Sequence, residues 1–191
     1  MPQAKEDRRI RLTKRLLKDS LINLLTKKNI SKITIKEICE DADINRATFY
    51  AHFANQYDLL KSIEEDFIAN ILSDLTHQPK SHKNTLILAE RILTYIYTNV
   101  TLSKILLSDR GDVNFQKRII GLVHENLLAD LASVTPKDTE RADFISAYAI
   151  SGAIGIIQKW FDNDLNKSPL EVAKLIAELT MSSLNTIHSI H

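Results

Sequence analysis

The residues able to do chemistry in this 191-residue chain are donors of hydrogen bonds and of positive charge, not nucleophiles or metal ligands. Its six histidines (His52, His77, His82, His124, His188 and His191) form no paired ligand motif, and the single cysteine, Cys39, leaves no internal disulfide. There is no glycine-rich phosphate loop. Catalysis needs a nucleophile, a base or a metal set at a workable spacing. The chain has none, so no enzyme activity, metal or cofactor is expected. What remains is basic and lies near one end. Residues 1–61 hold 13 Lys and Arg against 8 Asp and Glu, a net of +5. Residues 62–191 hold 12 against 16, a net of −4. A positive end on a nearly neutral chain points to a polyanionic partner there.

The elements that must carry these donors read as helices. Leu and Ile number 25 and 24, Val only 5, and there are 4 Gly and 4 Pro. Such a composition suits long helices with few breaks, an all-α chain, and not a sheet with its turns. The longest uncharged stretch, residues 144–158, is 15 residues. That is short of the ~20 that span a membrane. No apolar signal core follows the basic N-terminus, so a cytoplasmic protein without a membrane partner is expected.

Ile10, Thr13, Leu17, Leu21, Leu24 and Leu25 recur at spacings of three and four and predict a helix from Arg8 to Lys28, with Lys27 and Lys28 favourable at its C-terminal dipole end. Thr34-Ile35-Lys36-Glu37 is a capping box that opens a short helix. Asp43-Ile44-Asn45 reads as a turn. Asn45 then caps a second short helix, Arg46 to Phe53. Two short helices about a turn of this length form the helix-turn-helix pattern. Its shared core would be Ile38, Ala42, Ile44 and Phe49, with small Cys39 at the crossing. Phe49 and Phe53 fit the core better than any contact surface. Further helices are predicted over about 56–75, 85–98, 102–107, 115–133, 137–162 and 169–187, with a linker at 76–83. That makes about nine. Ser168-Pro169-Leu170-Glu171 is a second capping box.

Taken together, Thr34-Ile35-Lys36-Glu37-Ile38, Ala42, Ile44, the string Arg46-Ala47-Thr48-Phe49-Tyr50-Ala51-His52-Phe53 and Asp58-Leu59-Leu60 closely resemble the DNA-binding domain of the TetR family of transcriptional regulators. Gly152, Gly155, Trp160 and the second capping box resemble the body of a subset of that family. The resemblance implies a three-helix DNA-binding head at 1–55 and a helical regulatory and dimerisation body at 56–191. By position it assigns base reading to Arg46 and Ala47, with Lys36 available to base or phosphate. An arginine in the major groove can hold a guanine edge bidentately, and an alanine can touch a thymine methyl. The resemblance places Thr34, Thr48, Tyr50 and His52 on phosphates, where contacts fix register without reading sequence. A basic arm (Lys5, Arg8, Arg9, Arg11) would follow the backbone or enter the minor groove.

Two positions depart from the family pattern. Asp43 stands where a turn glycine is common, and Asp tolerates the left-handed conformation better than most residues. Gln56 stands where a phosphate-holding lysine is common, so a charged contact becomes at most a neutral one. The resemblance further implies a homodimer on a pseudo-palindromic duplex. Its interface would involve Ala149, Gly152, Ala153, Ile156, Leu175 and Leu179. A small-molecule effector in the body would be lined by some of Arg91, Tyr95, Phe115, His124, Tyr148, Gln158 and Trp160. The function expected is repression relieved by that effector. The alternative is a family-like protein that acts through a protein partner without DNA.

Overall fold

In the computed structural model, residues 2–76, 82–107, 112–132 and 139–188 are described. These residues form α1 (Pro2–Leu25), α2 (Ile35–Asp41), α3 (Arg46–Tyr50), α4 (Gln56–Thr76), α5 (His82–Thr98), α6 (Val100–Leu107), α7 (Val113–Ala132), α8 (Thr139–Asp162) and α9 (Pro169–His188). A single 3-10 turn, η1 (Ile30–Lys32), lies between α1 and α2. The described residues contain no strand, and their nine α-helices match the all-α expectation. Most of the predicted linker lies outside the described residues. The chain divides into two compact units, Met1–Ala69 and Asn70–His191.

In the first unit α1 packs on α2, and α2 on α3. Leu17, Leu21, Ile33, Ile38, Phe49 and Leu59 are essentially fully buried. Burying an aliphatic or aromatic side chain of this size contributes about 1.5–3 kcal/mol. Two polar ties fix the approach of helices to α1. The Ser20 hydroxyl donates to the Ile38 carbonyl at 3.0 Å and is itself buried, so its desolvation is compensated. The Lys18 ammonium donates to the Asp66 carboxylate at 2.6 Å and to the Ser62 carbonyl at 3.3 Å.

α1 starts earlier and ends earlier than the sequence predicts. It stops at Leu25, and the amides of Lys27 and Lys28 both turn back on the Leu24 carbonyl. Lys27 and Lys28 therefore lie beyond the helix. Asn29 caps η1 through its side chain, and Ile33 drops into the core.

In the second unit α5 packs most extensively on α9 and α7 on α8, with further α8–α9, α5–α6 and α6–α7 contacts. Leu93, Ile96, Leu106, Phe115, Val172 and Ala173 supply its most buried side chains. The Trp160 ring stacks on Tyr97 at 5.9 Å, and its Nε1–H donates to the Lys167 carbonyl at 3.0 Å. That bond spans the end of α8, where Asp164 and Leu165 both take positive φ and the Leu165 amide closes on the Trp160 carbonyl. Ser168 and Glu171 form the predicted capping box that starts α9.

Candidate nucleic-acid interface

α2 is held at both ends by its own sequence. At its start Thr34 and Glu37 cap each other reciprocally. At its end Asp43 has φ 52°. There the Asp43 amide bonds the Glu40 carbonyl and the Ile44 amide bonds the Cys39 carbonyl. Those two bonds with a left-handed residue between them are a Schellman stop. Aspartate thus does the work of the expected glycine. Asn45 then accepts the Ala47 amide at 2.8 Å and starts α3 directly.

Within α3, Arg46, Ala47 and Tyr50 fall within about 100° of one another around the axis, while Phe49 lies outside that arc, about 60° beyond Arg46. Burial follows that geometry. Phe49 is fully buried, Arg46 and Ala47 are exposed, and Tyr50 is 58% exposed. The Tyr50 ring stands edge-on to Phe49 at 5.7 Å, so the core fixes the direction of a solvent-facing phenol. Thr48 is half-buried at the side of the helix. His52, half-buried in the turn after α3, packs edge-on to Phe53 at 6.5 Å, and Phe53 is buried. The predicted helix to Phe53 is shorter in fact: α3 ends at Tyr50 and residues 51–52 form a turn.

The remaining donors surround this helix in sequence. Lys36 is exposed on α2 and pairs with Glu40 at 3.7 Å, an i,i+4 contact loose enough to be exchanged for another anion. Gln56 is half-buried at the first position of α4, where Asn55 already accepts the amides of Tyr57 and Asp58. Arg8, Arg9 and Arg11 are exposed, and with Lys5 they lie on α1 itself and not on an extended arm before it.

Among the expected phosphate contacts, Thr34 is the one whose donors are paired with Glu37. Its hydroxyl donates to Glu37 Oε2 at 2.9 Å, its amide donates to the same oxygen at 2.9 Å, and its oxygen accepts the Glu37 amide. The other carboxylate oxygen takes the Lys28 ammonium. Lys28 and then the Thr34 donors hold the Glu37 carboxyl down at about 2. The Thr34–Glu37 capping box is legible in the sequence, but its third member, Lys28, is not. Nothing in the local pattern marks Lys28, because the pairing spans a turn that the predicted longer α1 would have removed.

Burial pushes the Cys39 thiol above its ordinary range, against a smaller opposing effect of Arg46. A buried, protonated thiol at the α2–α3 crossing is a packing residue and not a reactive one.

In the second unit the seven candidate pocket residues are distributed over three helices. Arg91 and Tyr95 line a shallow open depression along α5 with Ile87, Glu90, Thr94 and Thr98. Asn70 reaches the Tyr95 hydroxyl at 3.3 Å. Phe115 is buried core, and Trp160 is committed to Tyr97 and Lys167. His124 on α7 pairs with Asp143 on α8 at 3.0 Å. Gln158 is half-buried, and Tyr148 is 64% exposed. Among the described residues no group of three or more His, Cys, Asp and Glu is placed to hold a metal ion.

Of the candidate dimer residues, Leu175 and Leu179 are exposed on α9 and Gly152 on α8, whereas Ala149 is buried and Ala153 and Ile156 are half-buried. The outward stripe of α8 is formed by Phe144, Tyr148, Ser151, Gly152 and Gly155, all exposed and all recurring at helical spacing. A Cβ placed on Gly152 or Gly155 would meet nothing within 4 Å. Phe144, Tyr148 and Gly155 were legible from that spacing alone.

A short helix locked by a Schellman stop against a second, whose solvent face carries Arg46, Ala47 and Tyr50, defines a helix-turn-helix protein. Comparison with known proteins gives the family. Residues 19–63 match the model described as bacterial regulatory proteins, tetR family, and residues 83–182 match that of a transcriptional regulator C-terminal region of the same family. The chain belongs to the TetR family of transcriptional regulators.

A curated relative, the helix-turn-helix-type transcriptional regulator YxbF of Bacillus subtilis strain 168, is 31% identical over 119 residues. That alignment covers 62% of this chain and 30% of the relative, so the chain spans about a third of that protein's length. Among solved structures, a TetR transcriptional regulator from Streptococcus agalactiae 2603V shares the fold with a TM-score of 0.67 and 22% identity, over 93% of this chain and 98% of that one. SmeT, the repressor of the Stenotrophomonas maltophilia multidrug efflux pump SmeDEF, shares it with a TM-score of 0.69 and 14% identity, over 89% of each chain. At these identities the likeness to the solved structures is one of fold. No helix among the described residues is long and apolar enough to cross a membrane.

Proposed function

We propose that the protein is a sequence-specific DNA-binding regulator that acts as a homodimer on a pseudo-palindromic duplex. The observation that carries this reading is the outward face of α3. Its exposed guanidinium, methyl and phenol stand on a helix that the fully buried Phe49 anchors in the core. In this motif the second helix enters the major groove and the first crosses the backbone. Arg46 and Ala47 then read base edges, and Thr48, Tyr50, His52, Gln56, Lys36 and the arginines of α1 hold phosphates. A selection from random duplex DNA at moderate salt is the test. Recovery of a two-fold-related site supports the reading, and recovery of no enriched sequence rejects it.

The second copy is proposed to meet the outward stripe of α8 and the exposed leucines of α9. Exposed glycines that have room for a side chain in the single chain suit a close helix approach. Repression is the reading favoured for transcription, in keeping with SmeT, itself a repressor. Relief by a small molecule would follow if the ligand bound preferentially to a conformation whose two heads no longer fit adjacent half-sites. The 1–55 and 56–191 division then separates reading from regulation. The reading as a partner-dependent protein without DNA is less well supported, because Arg46, Thr48, Tyr50 and His52 are all retained.

A further inference from the structure

We infer that Lys28, held by Glu37, supplies the phosphate contact beside α2 that the motif assigns to Thr34. The inference rests on the DNA-binding reading above and concerns which atom donates. A phosphate oxygen only accepts hydrogen bonds, so the contacting group must have a hydrogen to give. The Thr34 hydroxyl has one hydrogen. With Glu37 ionised, that hydrogen lies on Glu37 Oε2, and the Thr34 amide is committed to the same oxygen. Its hydroxyl oxygen is occupied as well, by the Glu37 amide. Thr34 therefore reaches a phosphate only by turning its one side-chain hydrogen away from the Glu37 carboxylate, although both bonds of its cap would survive that turn.

Lys28 has the opposite balance. Its ammonium carries three hydrogens and directs one at Glu37 Oε1, leaving two. Its side chain is 29% exposed, so those hydrogens are partly open to an arriving ligand while the stem is fixed. Charge argues the same way. The Glu37 carboxylate lies beside Thr34 on the element that crosses the DNA backbone and would repel it. Lys28 cancels that charge locally and leaves a cationic head directed by its partner. Glu37 is accordingly a positioning residue that acts through Lys28. Lys27 and Lys32 are more exposed neighbours on the same stretch and provide matched controls for simple loss of charge.

The experiment measures binding of the full chain to the selected duplex, and to a random duplex of equal length, over a range of salt concentrations. Each phosphate contact contributes about 0.9 to the slope of log K against log salt. Lys28→Met is expected to lower the slope by about that amount on both duplexes, and Lys28→Arg to keep it. Lys27→Met should change it distinctly less. Adding Glu37→Gln to Lys28→Met should recover part of the lost affinity, by removing the unmasked carboxylate, but none of the slope. That double variant also replaces Lys28→Met as the test if the single variant does not fold. An unchanged slope for variants lacking Lys28, or an equal fall with Lys27→Met, overturns the inference while leaving DNA binding intact. Wild-type protein that binds neither duplex at low salt overturns the DNA reading and this inference together.

Discussion

The amide of Ile44 closes on the carbonyl of Cys39 at 2.9 Å, across an aspartate held at φ 52°. The bond commits the Cys39 backbone to the turn, while its side chain is buried on α2, the helix that packs on α3. A larger side chain there has to push α3 away from α2. Cys39→Leu is expected to destabilise the head by about 1–3 kcal/mol, the usual cost of overpacking, and to weaken DNA binding with it. Chemical denaturation of the variant checks the first, and a midpoint equal to wild type would place the crossing elsewhere. In the native protein a thiol reagent should modify Cys39 only at the rate of unfolding.

Arg46 and Tyr50 share one face of α3 yet should fail differently. Arg46→Ala is expected to cost about 1–3 kcal/mol on the selected duplex and much less on a scrambled one, because a bidentate base contact discriminates. Tyr50→Phe keeps the ring packed edge-on to Phe49 and removes only the hydroxyl, so both duplexes should weaken alike. Anisotropy titrations at one fixed salt concentration read both. Equal losses on the two duplexes for Arg46→Ala would remove it from base reading.

Acid should weaken the head through Glu37. Its carboxyl is held at about 2, against an ordinary 4.5, chiefly by Lys28 and then by Thr34. A group depressed on folding contributes stability that is complete above the unfolded value. That contribution fades as pH falls from about 4.5 through about 2, because the unfolded chain takes up the proton first. Glu37→Gln should therefore be less stable than wild type at pH 7 and lose less between pH 5 and pH 2.5. Glu171, lowered by Ser168, adds a contribution of the same sign in the second unit and is common to both proteins. Urea midpoints at the two pH values decide, and parallel losses in the two proteins would show that Glu37 is not the titrating group.

Where helical period and caps agreed, the sequence was legible. Thr34, Asn45 and Ser168 start helices as their side chains require, and Phe49 is buried as its spacing demands. Helix ends were less legible where two local signals competed. Basic residues at 27 and 28 resembled a helix end, yet the chain turned at Leu25 because Asn29 caps η1 and Ile33 must reach the core. The Lys28–Glu37 pair exists only because of that turn, so no spacing rule reveals it. Residue type alone marks the pocket candidates. Type does not say whether a tyrosine such as Tyr148 faces in or out, whereas the phase of α8 does.

That phase also yields the sharpest test of the dimer. Gly152 and Gly155 lie on the exposed stripe of α8 with Phe144 and Tyr148, and neither has an atom within 4 Å of an added Cβ. Gly152→Asp should thus leave the single chain folded, and the better helix propensity of Asp over Gly opposes any loss. Two copies brought together along this stripe would bury the new carboxylates opposite or beside one another, unpaired, at a cost that a helix–helix contact does not recover. The expected outcome is a monomer by sedimentation with wild-type helicity, and a large loss of affinity for the two-fold site but a small one for a single half-site. Ala153 is the informative control, because it is half-buried: Ala153→Asp should reduce stability before it reduces association. A Gly152→Asp protein that sediments as a dimer would assign association to another face.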